Sequence, residues 1–90
     1  MCSVYYEEGM NRSAAYDGGR MVGECNFQRH GKTWVIDRTK IDDPYLTDGT
    51  GDQLLECLAK NARQQGAVVV PLAQYAATWF RRHPAYRDVL

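Results

Sequence analysis

The clearest periodicity in the chain is a two-residue alternation over residues 20–28. Met21, Gly23, Cys25 and Phe27 fall on one face, with Val22, Glu24, Asn26 and Gln28 on the other, which predicts a strand. Residues 13–16 read as a short strand before it, and Asp17-Gly18-Gly19 as the turn that folds the two into a hairpin. His30-Gly31-Lys32 is the next turn, and residues 33–41 continue as a strand with Trp34 and Ile36 on one face. Asp42-Asp43-Pro44 ends it, since proline donates nothing to a ladder.

After residue 50 the period changes. Leu54, Leu55, Leu58 and Ala62 recur at i, i+1, i+4 and i+8, a single helical stripe, while Asp52, Glu56, Lys60 and Arg63 are left to face water. Gly66 suits the left-handed residue that stops such a helix. Residues 67–70 are apolar enough to predict a strand covered on both faces rather than one at an edge. A second helix over residues 73–82 buries Ala76, Ala77 and Phe80 and ends before Pro84. The order strand, strand, strand, helix, strand, helix predicts an α/β (α+β) domain. An antiparallel meander leads into a strand–helix–strand unit, with helices packed on one mixed sheet.

Ninety residues make one domain spanning 1–90, long enough for one sheet with helices on it. Eleven basic and eleven acidic residues cancel, which argues against a nucleic-acid binder or an anionic-membrane binder. The cancellation is uneven. Ten of the eleven acids lie at or before Glu56, whereas Lys60, Arg63, Arg81, Arg82 and Arg87 face only Asp88 in the remainder. That basic third is either a solvated helix face or an attractor for a polyanionic ligand. Cys2, Cys25 and Cys57 are odd in number and widely separated, without a Cys-x-x-Cys spacing. This disfavours a disulfide framework or zinc site and suits the reducing cytoplasm. No apolar run reaches the length of a membrane span, and residues 1–5 lack the charged and apolar regions of a signal peptide.

The segment with most chemistry in it is Asp48-Gly49-Thr50-Gly51, at the start of the first helix. Two glycines let successive N–H groups converge, and the first helical turn adds unpaired N–H groups of its own, so the corner suits an anion such as a phosphate. An ordinary turn has the same composition. Elsewhere Tyr75 is either a packed ring or a proton donor, and His83 a helix stop or a base. Glu7 and Glu8 beside Tyr5-Tyr6 read as an acidic surface segment or the mouth of an amine site, and Cys25 and Cys57 as inert core thiols. No spacing of metal ligands and no Ser/His/Asp arrangement is present.

Taken in order, several segments resemble the short, single-domain GNAT N-acetyltransferase-like proteins. They are the strand 34–41, the glycines, the helix, Val68-Val69-Val70-Pro71-Leu72, Tyr75, Trp79-Phe80 and Arg82-His83-Pro84-Ala85-Tyr86. Asn11-Arg12 and Val22-Gly23-Glu24 match the family's opening. The resemblance implies acetyl transfer from acetyl-CoA (coenzyme A) to an amine on a small molecule or protein. It implies a bulge near Asp37-Arg38 that splays the strand from its neighbour. The cofactor's pyrophosphate would lie on Thr47, Asp48, Gly49, Thr50, Gly51 and Asp52. Its pantetheine arm would pass Thr39 to Ile41 on one side and Pro71, Ala73 and Tyr75 on the other, with Tyr75 as the acid for the departing thiolate.

The chain also departs from the family's pattern. Leu46 and Thr47 stand where an Arg-Gly is expected, and Arg38 where a His is expected; Ala73 and Gln74 replace a Cys-Pro. Asp48 adds a carboxylate beside the expected phosphate. These departures keep two other readings open: a non-catalytic acyl-CoA-binding module, and an interaction protein, such as a homodimer, that retains only the fold.

Overall fold

The computed structural model describes residues 2–90. A single five-stranded sheet has its strands side by side in chain order: β1 Ser3–Glu7, β2 Arg12–Asp17, β3 Arg20–His30, β4 Thr33–Ile41 and β5 Val68–Pro71. The first four pair antiparallel, and β5 joins β4 in parallel. Helix α1, Thr50–Gln65, makes the crossover that a parallel pair requires. Helix α2, Gln74–Arg82, follows β5, and a 3-10 turn over Pro84–Val89 follows α2. Among the described residues no helix is long and apolar enough to cross a membrane.

Two elements differ from the sequence expectation. The acidic segment expected at the start is strand β1, paired with β2 from Ser3↔Tyr16 to Glu7↔Arg12. Its acids are satisfied within the sheet. Glu7 accepts from Arg12 Nε at 2.6 Å and from the Tyr16 hydroxyl at 2.5 Å, and Glu8 meets Arg29. The second difference is β5, which is an edge strand and not covered on both faces. Val69 is 2% exposed, but Val68 and Val70 are 47% and 37% exposed. The cause is that both helices lie on the Val69 side. Arg63 of α1 holds Asp88 and the Ala85 carbonyl in the 3-10 turn, and Trp79 of α2 donates to Asp52 of α1.

The core lies between that face of the sheet and α1. Leu54, Leu55, Leu58, Ala59 and Ala62 are all fully buried, so the predicted stripe is the buried one, and each such leucine contributes about 1.5–3 kcal/mol on burial. Ser13, a buried strand hydroxyl, donates to the Leu54 carbonyl of α1 at 2.8 Å and so carries little desolvation penalty. At the C-terminal end of α1 the sheet presents a stack. Phe27 and Trp34 lie 4.3 Å apart between centroids, Tyr6 sits 5.8 Å from Trp34, and Arg29 lies 4.8 Å over Trp34. Gly66 ends α1 at φ 68, and its N–H closes on Ala62 and Arg63.

Candidate functional site

The opposite end of α1 is built by a strand that leaves its neighbour. In the β3–β4 ladder Asn26 pairs with Arg38 and Phe27 with Ile36, which makes Asp37 an extra residue without a partner. This is the bulge expected at Asp37-Arg38, and it bends β4. The parallel ladder with β5 stops there, at Ile36↔Pro71. The Ile36 carbonyl accepts from both Leu72 and Ala73, at 3.0 and 2.9 Å, and the chain then turns away into α2. Asp37 to Ile41 runs on with β3 on one side and an unpaired edge on the other. The result is a wedge between β4 and the β5–α2 junction.

The glycine corner closes one end of that wedge. Gly49 has φ +94, open to glycine at no steric cost, and precedes the first residue of α1. The first main-chain rung of the helix is Gln53 N–H to the Gly49 carbonyl, 3.1 Å, so the N–H groups of Gly51 and Asp52 lie ahead of the ladder. The Thr50 N–H is answered by the chain itself. Asp48 Oδ1 accepts the Thr50 hydroxyl at 2.6 Å and the Thr50 N–H at 3.0 Å. Those two bonds, the hydroxyl first, hold the Asp48 carboxyl below its ordinary range. The nest of amides anticipated at 49–51 is thus partly occupied by the Asp48 side chain.

Gly51 is a glycine for reasons of space. A Cβ built on it would fall on the Tyr75 hydroxyl and lie 2.8 Å from Tyr75 Cζ and 3.1 Å from Ile41 Cδ1. Three of the anticipated residues, Ile41, Gly51 and Tyr75, therefore meet at one point, with Asp52 on the next position of the helix. Tyr75 is 39% exposed, and burial, then the Asp52 charge, push its phenol above its ordinary value. The others are arrayed around this point. Thr47, Asp48 and Gly49 are exposed on the loop, and Thr50 is buried. The Thr39 hydroxyl faces Cys25 Sγ at 3.6 Å. Ala73 is half-buried, its N–H spent on Ile36.

Beside this meeting point lies a cleft of about 570 Å³ lined by Asp52, Gln74, Tyr75, Thr78, Trp79, Arg82 and His83. Most of these were not singled out from the sequence as site residues. The signal was present in α2, where residues 74, 75, 78, 79 and 82 share one face, but Trp79 reads equally well as core. Trp79 is in fact 4% exposed while its Nε1–H reaches Asp52 Oδ1 at 3.0 Å. His83 stacks on Trp79 at 4.1 Å, and its Nδ1 lies 2.7 Å from the Trp79 carbonyl, so the ring caps the helix as it faces the cleft. Cys25, by contrast, is a sealed core thiol pushed up to about 12 by burial.

A model of the GCN5-related N-acetyl-transferase family matches residues 12–89. Three solved structures share the fold. A GCN5-like protein from Staphylococcus aureus aligns with a TM-score of 0.76 at 20% identity, over 97% of this chain and 85% of its own. The ribosomal-protein-S18-alanine N-acetyltransferase of Escherichia coli gives 0.68 at 17% identity, over 79% of this chain and 49% of its own. The N-acetylglutamate synthase of Neisseria gonorrhoeae, solved with coenzyme A and N-acetyl-glutamate, gives 0.67 at 16% identity, over 91% and 22%. This chain therefore spans about half of the second and about a fifth of the third. No curated protein matches the sequence.

Proposed function

The chain belongs to the GCN5-related N-acetyltransferase family, and on that premise we propose that it binds acetyl-CoA in the wedge between β4 and the β5–α2 junction and transfers the acetyl group to an amine. The observation that carries this reading is the break in the parallel ladder after Ile36↔Pro71, which leaves the edge of Thr39 to Ile41 unpaired and leads to the first turn of α1. An extended arm bearing amides can pair with such an edge. A polyanion suits the N–H groups of Gly51 and Asp52 that lie ahead of the helix ladder. Gly51 keeps side-chain atoms away from those amides, although the Tyr75 hydroxyl lies where its Cβ would be.

When bound, acetyl-CoA supplies the activated acyl carbon and a thiolate leaving group. The chain's part is to position it, to meet the oxyanion that develops and to manage protons. The strand edge that the Asp37 bulge leaves beside β5 is where a donor for the oxyanion would have to come from. Tyr75 carries a phenol proton, which it could give to the thiolate only after its hydroxyl has left its place against Gly51. The amine acceptor is a small molecule or a protein, and nothing in the sequence assigns a nucleic acid or membrane role.

A second reading, a non-catalytic acyl-CoA-binding module, is favoured by two specific features. Ala73 carries no thiol where the family resemblance expects one, and the Asp48 carboxylate sits on the Thr50 amide. Thermal melting with acetyl-CoA tests binding, because a ligand at 100 times its Kd adds about 2.7 kcal/mol of stability. A shift together with thiol release in a panel of amines supports the enzyme. A shift with no release across the panel supports the binder, and no shift at millimolar cofactor removes both.

A further inference from the structure

We propose that Tyr75 is a displaceable plug that closes the wedge between β4 and α2 in the ligand-free protein; this rests on the acyl-CoA reading above. The phenol lies where a Cβ of residue 51 would be, and Ile41 approaches the same point from the far side. The wedge therefore ends in a three-way contact of Ile41, Gly51 and Tyr75. That contact sits at the first turn of α1, beside the amides that a phosphate would need.

Three observations make Tyr75 the movable member. Its hydroxyl has no hydrogen-bond partner among the described residues, so displacing it breaks no polar bond. It is 39% exposed, so the ring can leave toward solvent. It stands in the first turn of α2, and the helix N-cap, Ala73, makes no side-chain capping bond. Gly51 and Ile41 are anchored instead, one within the buried start of α1 and the other in the β3–β4 ladder through Gly23.

The cleft wall beyond the ring is in place for the swung-out phenol, since Tyr75 shares it with Gln74, Thr78 and Trp79. A plug that is open about a tenth of the time slows association about tenfold.

Stopped-flow mixing with coenzyme A, read through tryptophan fluorescence to which the cleft-lining Trp79 contributes beside the core Trp34, measures this directly. The folded full chain is compared with Tyr75→Ala and Tyr75→Phe, each checked by its melting curve. The expected result is association about tenfold faster in Tyr75→Ala, with a smaller rise in Tyr75→Phe, which removes the hydroxyl but keeps the ring carbon that also lies against residue 51. Binding by Tyr75→Ala alone also supports the plug. Equal or slower association in Tyr75→Ala, with the unmodified protein binding, overturns the plug and leaves the acyl-CoA reading intact. Binding by none of the three overturns both.

Discussion

The two ends of α1 are made by opposite means. At its C-terminal end β4 and β5 are paired, Gly66 closes the helix, and Phe27, Trp34 and Tyr6 stack beneath Arg29. At its N-terminal end the same two strands part, and the space is defined by an unpaired strand edge, a glycine without a side chain and one mobile-sized ring. The first end holds the fold together through side-chain contact. The second lacks ladder bonds between β4 and β5 and a side chain at Gly51, and is held instead by Trp79, which donates to Asp52.

That contrast is broken most severely at the packed end. Trp34→Ala empties a fully buried position in the aromatic stack and is expected to cost about 3–5 kcal/mol of stability. Chemical denaturation measures it, and coenzyme A affinity of the molecules still folded is expected to be unchanged. At the open end Gly51→Ala forces Tyr75 and Ile41 apart, costing about 1–3 kcal/mol as an overpacking change. Here the larger effect is on the ligand, with the thermal shift by coenzyme A abolished. Gly49→Val is expected to abolish it too, through the positive φ at that residue rather than through crowding. A coenzyme A shift that survives both substitutions would place any binding elsewhere.

Asp48→Asn probes the corner more gently. It weakens the cap on Thr50 and removes a negative charge from beside the proposed phosphate site, so the melting temperature falls slightly while coenzyme A binds more tightly. Weaker binding in Asp48→Asn would count against the placement.

Acid gives a finer reading. Glu7, Asp48 and Asp88 are held below their ordinary pKa, chiefly by the Tyr16 hydroxyl, the Thr50 hydroxyl and Arg63 respectively. Depressed carboxylates contribute stability above their unfolded values of about 4 and lose it as pH falls through the folded ones. Melting temperature is therefore expected to be level from pH 7 to about 5 and to decline below about 4. The decline should be shallower in Asp48→Asn. A melting temperature that rises in acid would contradict the assignment.

The packed end was also the legible one. The alternation of residues 20–28 and the spacing of Leu54, Leu55, Leu58 and Ala62 are side-chain patterns, and each predicted its element. The helical stripe is the buried one, whereas in β3 Val22 is buried along with Cys25 and Phe27 of the other face. β1 was missed because Glu7 and Glu8 read as solvated charge, when Arg12, Tyr16 and Arg29 sit opposite to satisfy them. Val68-Val69-Val70 predicted a covered strand, whereas only Val69 faces the helices; apolar content cannot say which side of a sheet the helices take. At the open end the glycine corner was legible in the residues themselves and the bulge at Asp37 through the family resemblance. The contact of Tyr75 with Gly51 was not, because it joins residues 24 positions apart through a missing side chain.

In the proposed complex coenzyme A lies along the unpaired edge of β4 and ends on the first turn of α1. An amide-resolved NMR titration of the isotopically labelled chain with coenzyme A tests it directly. The largest shifts are expected at Thr39 to Ile41, Gly49, Gly51, Asp52 and Tyr75, with the Phe27–Trp34 end nearly still. Shifts confined to that aromatic end or to the outer face of β5, or none at millimolar coenzyme A, would contradict it.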